Sequence, residues 1–191
     1  MIKTVCVFGD SITWGSYDIN QGGWVERLKV YLMKEDIDAY NCGISGDDTD
    51  DLLERFDVEC KAREPELIIF AIGINDSHRN VPLEKFEENV KSLIGKARKY
   101  SKNIVYVGLT PVNNSLAEVK EDNYINDKIK IYNSKIKSIC QKEKILFLEI
   151  FDDWIKADYK RMLYDGLHPN SKGHDKIFQA VKEFLNENFL Q

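Results

Sequence analysis

The run Leu67-Ile68-Ile69-Phe70-Ala71-Ile72 holds six apolar residues without interruption, bounded by Glu66 and Gly73. It is too short to span a membrane, and it lacks the alternation of a strand with one wet face. A strand apolar on both sides must be covered on both sides, which requires a parallel sheet between two layers of helix. Four more β-rich runs end abruptly at small or polar residues: Thr4 to Phe8, Ala39 to Cys42, Ile104 to Leu109 and Ile145 to Ile150.

Stretches of helical period lie between and after these runs. Trp24, Leu28, Tyr31 and Leu32 form one stripe, and Leu52, Leu53 and Phe56 begin another. Phe86, Val90, Leu93, Ile94 and Ala97 form a third, Ile129, Tyr132, Ile136 and Ile139 a fourth, and Ile177, Val181, Phe184 and Leu185 a fifth. The repeated order of strand then helix predicts a three-layer α/β sandwich with right-handed crossovers, doubly wound around a central sheet. With 191 residues and four prolines, residues 1–191 are expected to form one domain without a linker, burying about 70% of the surface of the unfolded chain.

Composition narrows the function classes. The net charge is −5 and the lysines are dispersed, which argues against a nucleic-acid partner, whose phosphates call for a concentrated basic face. No apolar run approaches the roughly 20 residues of a membrane span, and Met1-Ile2-Lys3 leads straight into the first strand without a signal-peptide pattern. Cys6, Cys42, Cys60 and Cys140 are widely spaced and read as buried thiols of a reducing compartment, so a cytoplasmic location is expected.

In open α/β folds, ligands bind at the carboxyl ends of the strands, where loops and helix N-termini converge. Four polar segments stand there. Ser11 follows the first strand, Gly43 the second and Asn75 the third, while Asp165 and His168 precede the last helix. A serine hydroxyl becomes nucleophilic when an imidazole takes its proton and a carboxylate orients that imidazole. Ser11, His168 and Asp165 fit those roles, although Ser11 alone also fits a helix cap and Asp165 alone an Asx turn. Gly43 and Asn75 can donate to an oxyanion or simply shape turns. Asp76 is expected to hold its loop by accepting local amides.

Trp14, His78 and Arg79 are candidate substrate-rim residues, and Tyr17 and Trp24 could line a pocket, although the helical stripe favours Trp24 as core. His174 is expected at the surface. Asp47, Asp48, Asp50 and Asp51 suggest a metal cluster but are better explained as complementing the positive end of the helix that follows, so no metal site is expected. The polar stretch from Pro111 to Asn123 is expected to border the acyl or leaving-group pocket.

Taken together, Phe8-Gly9-Asp10-Ser11-Ile12-Thr13, Asn41-Cys42-Gly43-Ile44-Ser45-Gly46, Gly73-Ile74-Asn75-Asp76 and Asp165-Gly166-Leu167-His168-Pro169 resemble the four sequence blocks of the GDSL, or SGNH, hydrolase superfamily, in the same order. The resemblance implies a five-stranded, flavodoxin-like sheet and serine ester hydrolysis without a metal or organic cofactor. It implies Ser11 as nucleophile, His168 as base, Asp165 as the orienting acid, and the Ser11 and Gly43 amides with the Asn75 side chain as oxyanion hole. The partner is then a small-molecule ester, while acyl length, alcohol and oligomeric state stay open. Acyl transfer to a sugar or other alcohol is the near rival, using the same acyl enzyme. A flavodoxin-like binding module is the rival from another class, but a flavin carrier leaves Asp165 and His168 unexplained. A phosphoacceptor receiver would need acids clustered after strand one and a lysine after strand five, where the chain has only Asp10 and then Asp152-Asp153.

Overall fold

The computed structural model describes residues 2–116 and 124–190. Strands β1 (Thr4–Gly9), β2 (Asp38–Gly43), β3 (Leu67–Ala71), β4 (Asn103–Val107) and β5 (Leu146–Leu148) form one all-parallel sheet in the order β2-β1-β3-β4-β5. The helices in chain order are α1 (Ser11–Trp14), α2 (Trp24–Met33), α3 (Thr49–Arg63), α4 (Ile74–His78), α5 (Leu83–Ala97), α6 (Asn126–Glu143), α7 (Phe151–Ile155) and α8 (Ser171–Asn188), with a 3-10 turn at Tyr159–Met162. The five periodic stripes became α2, α3, α5, α6 and α8. The four- and five-residue helices α1, α4 and α7 have no sequence signature, because four or five positions cannot display a helical period.

Side chains of β1 alternate between two cores, as the period of a strand requires. Cys6 and Phe8 pack with α3, α5 and α6, whereas Val5 and Val7 pack with α2 and α8. All four cysteines are buried free thiols. The edge strand β5 is half the length expected, since beyond Leu148 the chain turns away to start α7. No helix among the described residues is long and apolar enough to cross a membrane.

The chain leaves β1 through α2 on one face and leaves β2 through α3 on the other. This reversal opens a crevice at the carboxyl end of β1, where the strand order places a ligand site. Residues 117–123 of the polar stretch after β4 lie outside the described residues, so its expected border role is followed only through Leu116.

Candidate active site

The turn after β1 is held by Asp10, not by Ser11. The Asp10 carboxylate caps α1 by accepting the Ile12 amide at 2.9 Å, which frees the Ser11 hydroxyl for other partners. Burial pushes the Asp10 carboxyl up to about 6. Gly43 lets α1 lie directly on β2, because a Cβ there would stand 2.4 Å from the Trp14 nitrogen.

Across the crevice, the chain between the 3-10 turn and α8 folds into a compact loop. Tyr164 donates its amide to the His168 carbonyl at 2.8 Å, and Gly166 supplies a left-handed residue at φ 91°. One oxygen of Asp165 accepts the amides of Leu167 and His168 at 2.9 and 2.7 Å, while the other lies 2.7 Å from His168 Nδ1. His168 Nε2 in turn lies 2.9 Å from Ser11 Oγ, across 157 positions of sequence. Burial of Asp165 works against ionisation, but the hydrogen bonds from the imidazole and the two amides outweigh it and hold the carboxyl down at about 2. An ionised carboxylate only accepts, so Nδ1 carries the proton and Nε2 accepts from the serine hydroxyl.

These groups open onto a cleft of about 490 Å³, lined among the described residues by Ser11, Trp14, Ser16, Tyr17, Ser45, Gly46, Asn75, Tyr124, Leu167 and His168. Leu167 is the one aliphatic side chain in that lining. Asn75 sits in the first turn of α4, where its Nδ2 donates to the Asp47 carbonyl at 2.8 Å and its Oδ1 accepts from the Tyr124 hydroxyl at 2.8 Å. With the oxygen fixed by Tyr124 and one N–H held by Asp47, the second N–H remains for the cleft.

Several expected site residues are placed differently. Gly43 does not line the cleft, and its amide donates to Asn41 Oδ1 at 3.0 Å. Gly46, three residues on, does line it, with φ 88° and no heavy atom within 4 Å of where a Cβ would stand. Trp14 lines the cleft as expected, but His78 and Arg79 do not. His78 stacks on Tyr124 with ring centroids 4.4 Å apart. Arg79 clamps a loop, donating to the Gly46 carbonyl at 2.9 Å and pairing with Asp48 and Asp51.

The aspartate run also has structural partners. Asp48 caps α3 in a capping box with Asp51, and Asp47 pairs with Arg55 at 2.7 Å. Among the described residues, no group of three or more His, Cys, Asp or Glu is arranged to hold a metal ion. Asp76 is fully buried and accepts from the Thr49 amide and hydroxyl, and burial pushes its carboxyl up to about 7. Trp24 is core.

His174 corrects the expectation of a surface residue. It is fully buried, and its Nε2 donates to the Ser16 carbonyl at 3.1 Å. The signal was present in the sequence, since positions 174, 177, 181 and 185 share the inner stripe of α8.

A sequence-family model described as the GDSL-like Lipase/Acylhydrolase family matches residues 7–176. The chain belongs to this family. Among GDSL relatives it is similar to Esterase TesA of Pseudomonas aeruginosa, at 26% identity over 182 residues covering 94% of this chain and 86% of the relative. It is also similar to an acetylxylan esterase of Geobacillus stearothermophilus, at 27% identity over 206 residues covering 94% and 90%. The fold matches the solved lipase/acylhydrolase from Enterococcus faecalis with a TM-score of 0.84 at 18% identity, covering 97% of this chain and 96% of that one. This GDSL protein is therefore a carboxylic ester hydrolase, and the reading as a non-enzymatic flavodoxin-like module is overturned.

Proposed function

We propose that the protein hydrolyses a short-acyl ester by way of an acyl enzyme on Ser11. His168 Nε2 takes the hydroxyl proton as Ser11 Oγ bonds to the carbonyl carbon, and ionised Asp165 stabilises the resulting imidazolium. The oxyanion is received by the Ser11 amide, the free Asn75 Nδ2–H and the Gly46 amide. His168 then returns its proton to the alcohol oxygen as the ester bond breaks. Water attacks the acyl enzyme, giving its proton to His168 and releasing the acid and free Ser11.

The observation that carries this reading is the unbroken line from Ser11 Oγ through both imidazole nitrogens to Asp165, with links of 2.9 and 2.7 Å. Gly46 replaces Gly43 among the donors because it faces the cleft and Gly43 is engaged by Asn41. A short acyl group is supported by the lining, where Leu167 is the one aliphatic side chain among the described residues. The test is turnover of an aryl acetate series. Ser11→Ala is expected to lose about 10⁴-fold or more in kcat, with residual rate from binding and the oxyanion donors. Wild-type turnover in Ser11→Ala would refute the nucleophile, and a preference for long acyl chains would refute the acyl assignment.

A further inference from the structure

One feature of the cleft is unused by this chemistry. Trp14, Tyr17 and Tyr164 are 58%, 48% and 64% exposed. Trp14 and Tyr17 line the cleft. The Tyr17 ring lies 5.0 Å from the His168 ring, and Tyr164 stacks on Tyr17 with centroids 4.7 Å apart and planes 13° from parallel. Single exposed aromatics are ordinary, but adjoining faces beside a reactive group mark a contact surface.

The backbone supports that conclusion. Tyr17 has φ 63°, a left-handed conformation that a bulky residue rarely adopts. Buried neighbours impose it. His174 grips the Ser16 carbonyl, and the Asp18 carboxylate accepts from Arg27 and from the Gly23 amide at 3.0 Å. A disfavoured conformation held by a buried network, with its side chain directed to a cleft, is the pattern of a functional position.

Resting on the assignment of Ser11 and His168 above, we infer that Trp14, Tyr17 and Tyr164 form the subsite for the alcohol half of the ester, and that this alcohol is a hydroxylated ring, an O-acylated pyranose. His168 must protonate the departing oxygen, so the alcohol lies on the histidine side of Ser11, against Tyr17. Flat aromatic faces match the C–H face of a pyranose better than a flexible alkyl chain. The other lining groups, Ser16, Ser45 and the Tyr17 hydroxyl, can pair with ring hydroxyls, which a plain aryl or alkyl alcohol does not carry.

The experiment compares kcat/KM for a mono-O-acetylated methyl pyranoside, benzyl acetate and propyl acetate in the wild type, Tyr164→Ala, Tyr164→Phe and Tyr17→Asn. Asparagine tolerates the left-handed backbone, and melting curves verify folding. The pyranoside-to-propyl ratio is expected to be at least about tenfold in the wild type. It should fall about tenfold in Tyr164→Ala and Tyr17→Asn, mainly through KM, and be retained in Tyr164→Phe, given ring contacts worth roughly 1 kcal/mol or more. An unchanged ratio in both truncations overturns the subsite. An equal loss for benzyl acetate overturns the sugar assignment. Ser11→Ala, run on the same panel, separates these outcomes from failure of the underlying reading: turnover that survives it refutes the nucleophile, whereas Ser11-dependent turnover with an unchanged ratio refutes only the subsite.

Discussion

Asp165 and Asp76 each lie within three positions of a residue that lines the cleft, yet their surroundings drive the two carboxyl groups in opposite directions. Asp165 remains ionised because an imidazole and two amides donate to it, which holds it at about 2 despite partial burial. Asp76 is instead lifted by full burial to about 7, although Thr49 donates to it twice. The first carboxylate is the proposed orienting acid, and the second ties α4 to the start of α3. Proximity to a site therefore does not make an acid part of its chemistry; the partner that shares its hydrogen bond does.

The sharpest way to break this division is to neutralise each acid in turn. Asp165→Asn should lower kcat on an aryl acetate by about 10⁴-fold, because an amide no longer fixes the imidazole tautomer. Asp76→Asn should leave turnover within about tenfold of wild type. A comparable collapse in both variants would erase the contrast.

A smaller loss separates donors from acids. Asn75→Ala removes one proposed oxyanion donor and should cost about 10² to 10³ in kcat. Tyr124→Phe loosens the Asn75 amide and should cost about tenfold in kcat with KM unchanged. That cost should vanish in the Asn75→Ala background. Additive losses in the double variant would mean that Tyr124 acts independently of Asn75.

The smallest effect is on stability against pH. The Asp76 carboxyl is raised in the folded state, so its contribution is complete below the unfolded carboxylate value of about 4 and is lost as pH rises through about 7. Asp165 is depressed, so its contribution is present above about 4 and is lost as pH falls toward 2. Denaturant titrations from pH 4 to 8 should show a shallower decline in Asp76→Asn than in wild type. An identical slope would remove Asp76 as the source.

The sheet and five long helices were legible in the sequence because burial imposes periodicity, as in Leu67 to Ile72 and in the α5 stripe. That Ser11, His168 and Asp165 belong together was legible from their residue types and from the blocks that resemble a family pattern, and the fold brings them within 2.9 and 2.7 Å of one another. Gly46 was not distinguished from Gly43, since the two glycines stand three positions apart at and beyond the end of β2 and only the fold tells which of them lines the cleft. Tyr17, Tyr124 and Tyr164 carry no periodic or motif signal; their place depends on loops packing together. The short helices α1 and α4, which present Ser11 and Asn75, escaped for want of length. His174 was misread, although its spacing to Ile177 and Val181 belongs to the buried face of α8.

Activation of the Ser11 hydroxyl by His168 is the step on which the proposed hydrolysis depends. Its most direct test is intact-mass and peptide analysis after exposure to an aryl alkylphosphonofluoridate, which transfers its phosphonyl group to an activated serine and releases fluoride. One adduct is expected, on Ser11, absent in Ser11→Ala and formed at least about 10³-fold more slowly in His168→Ala. An adduct on another residue, or labelling of Ser11 at the wild-type rate without His168, would contradict it.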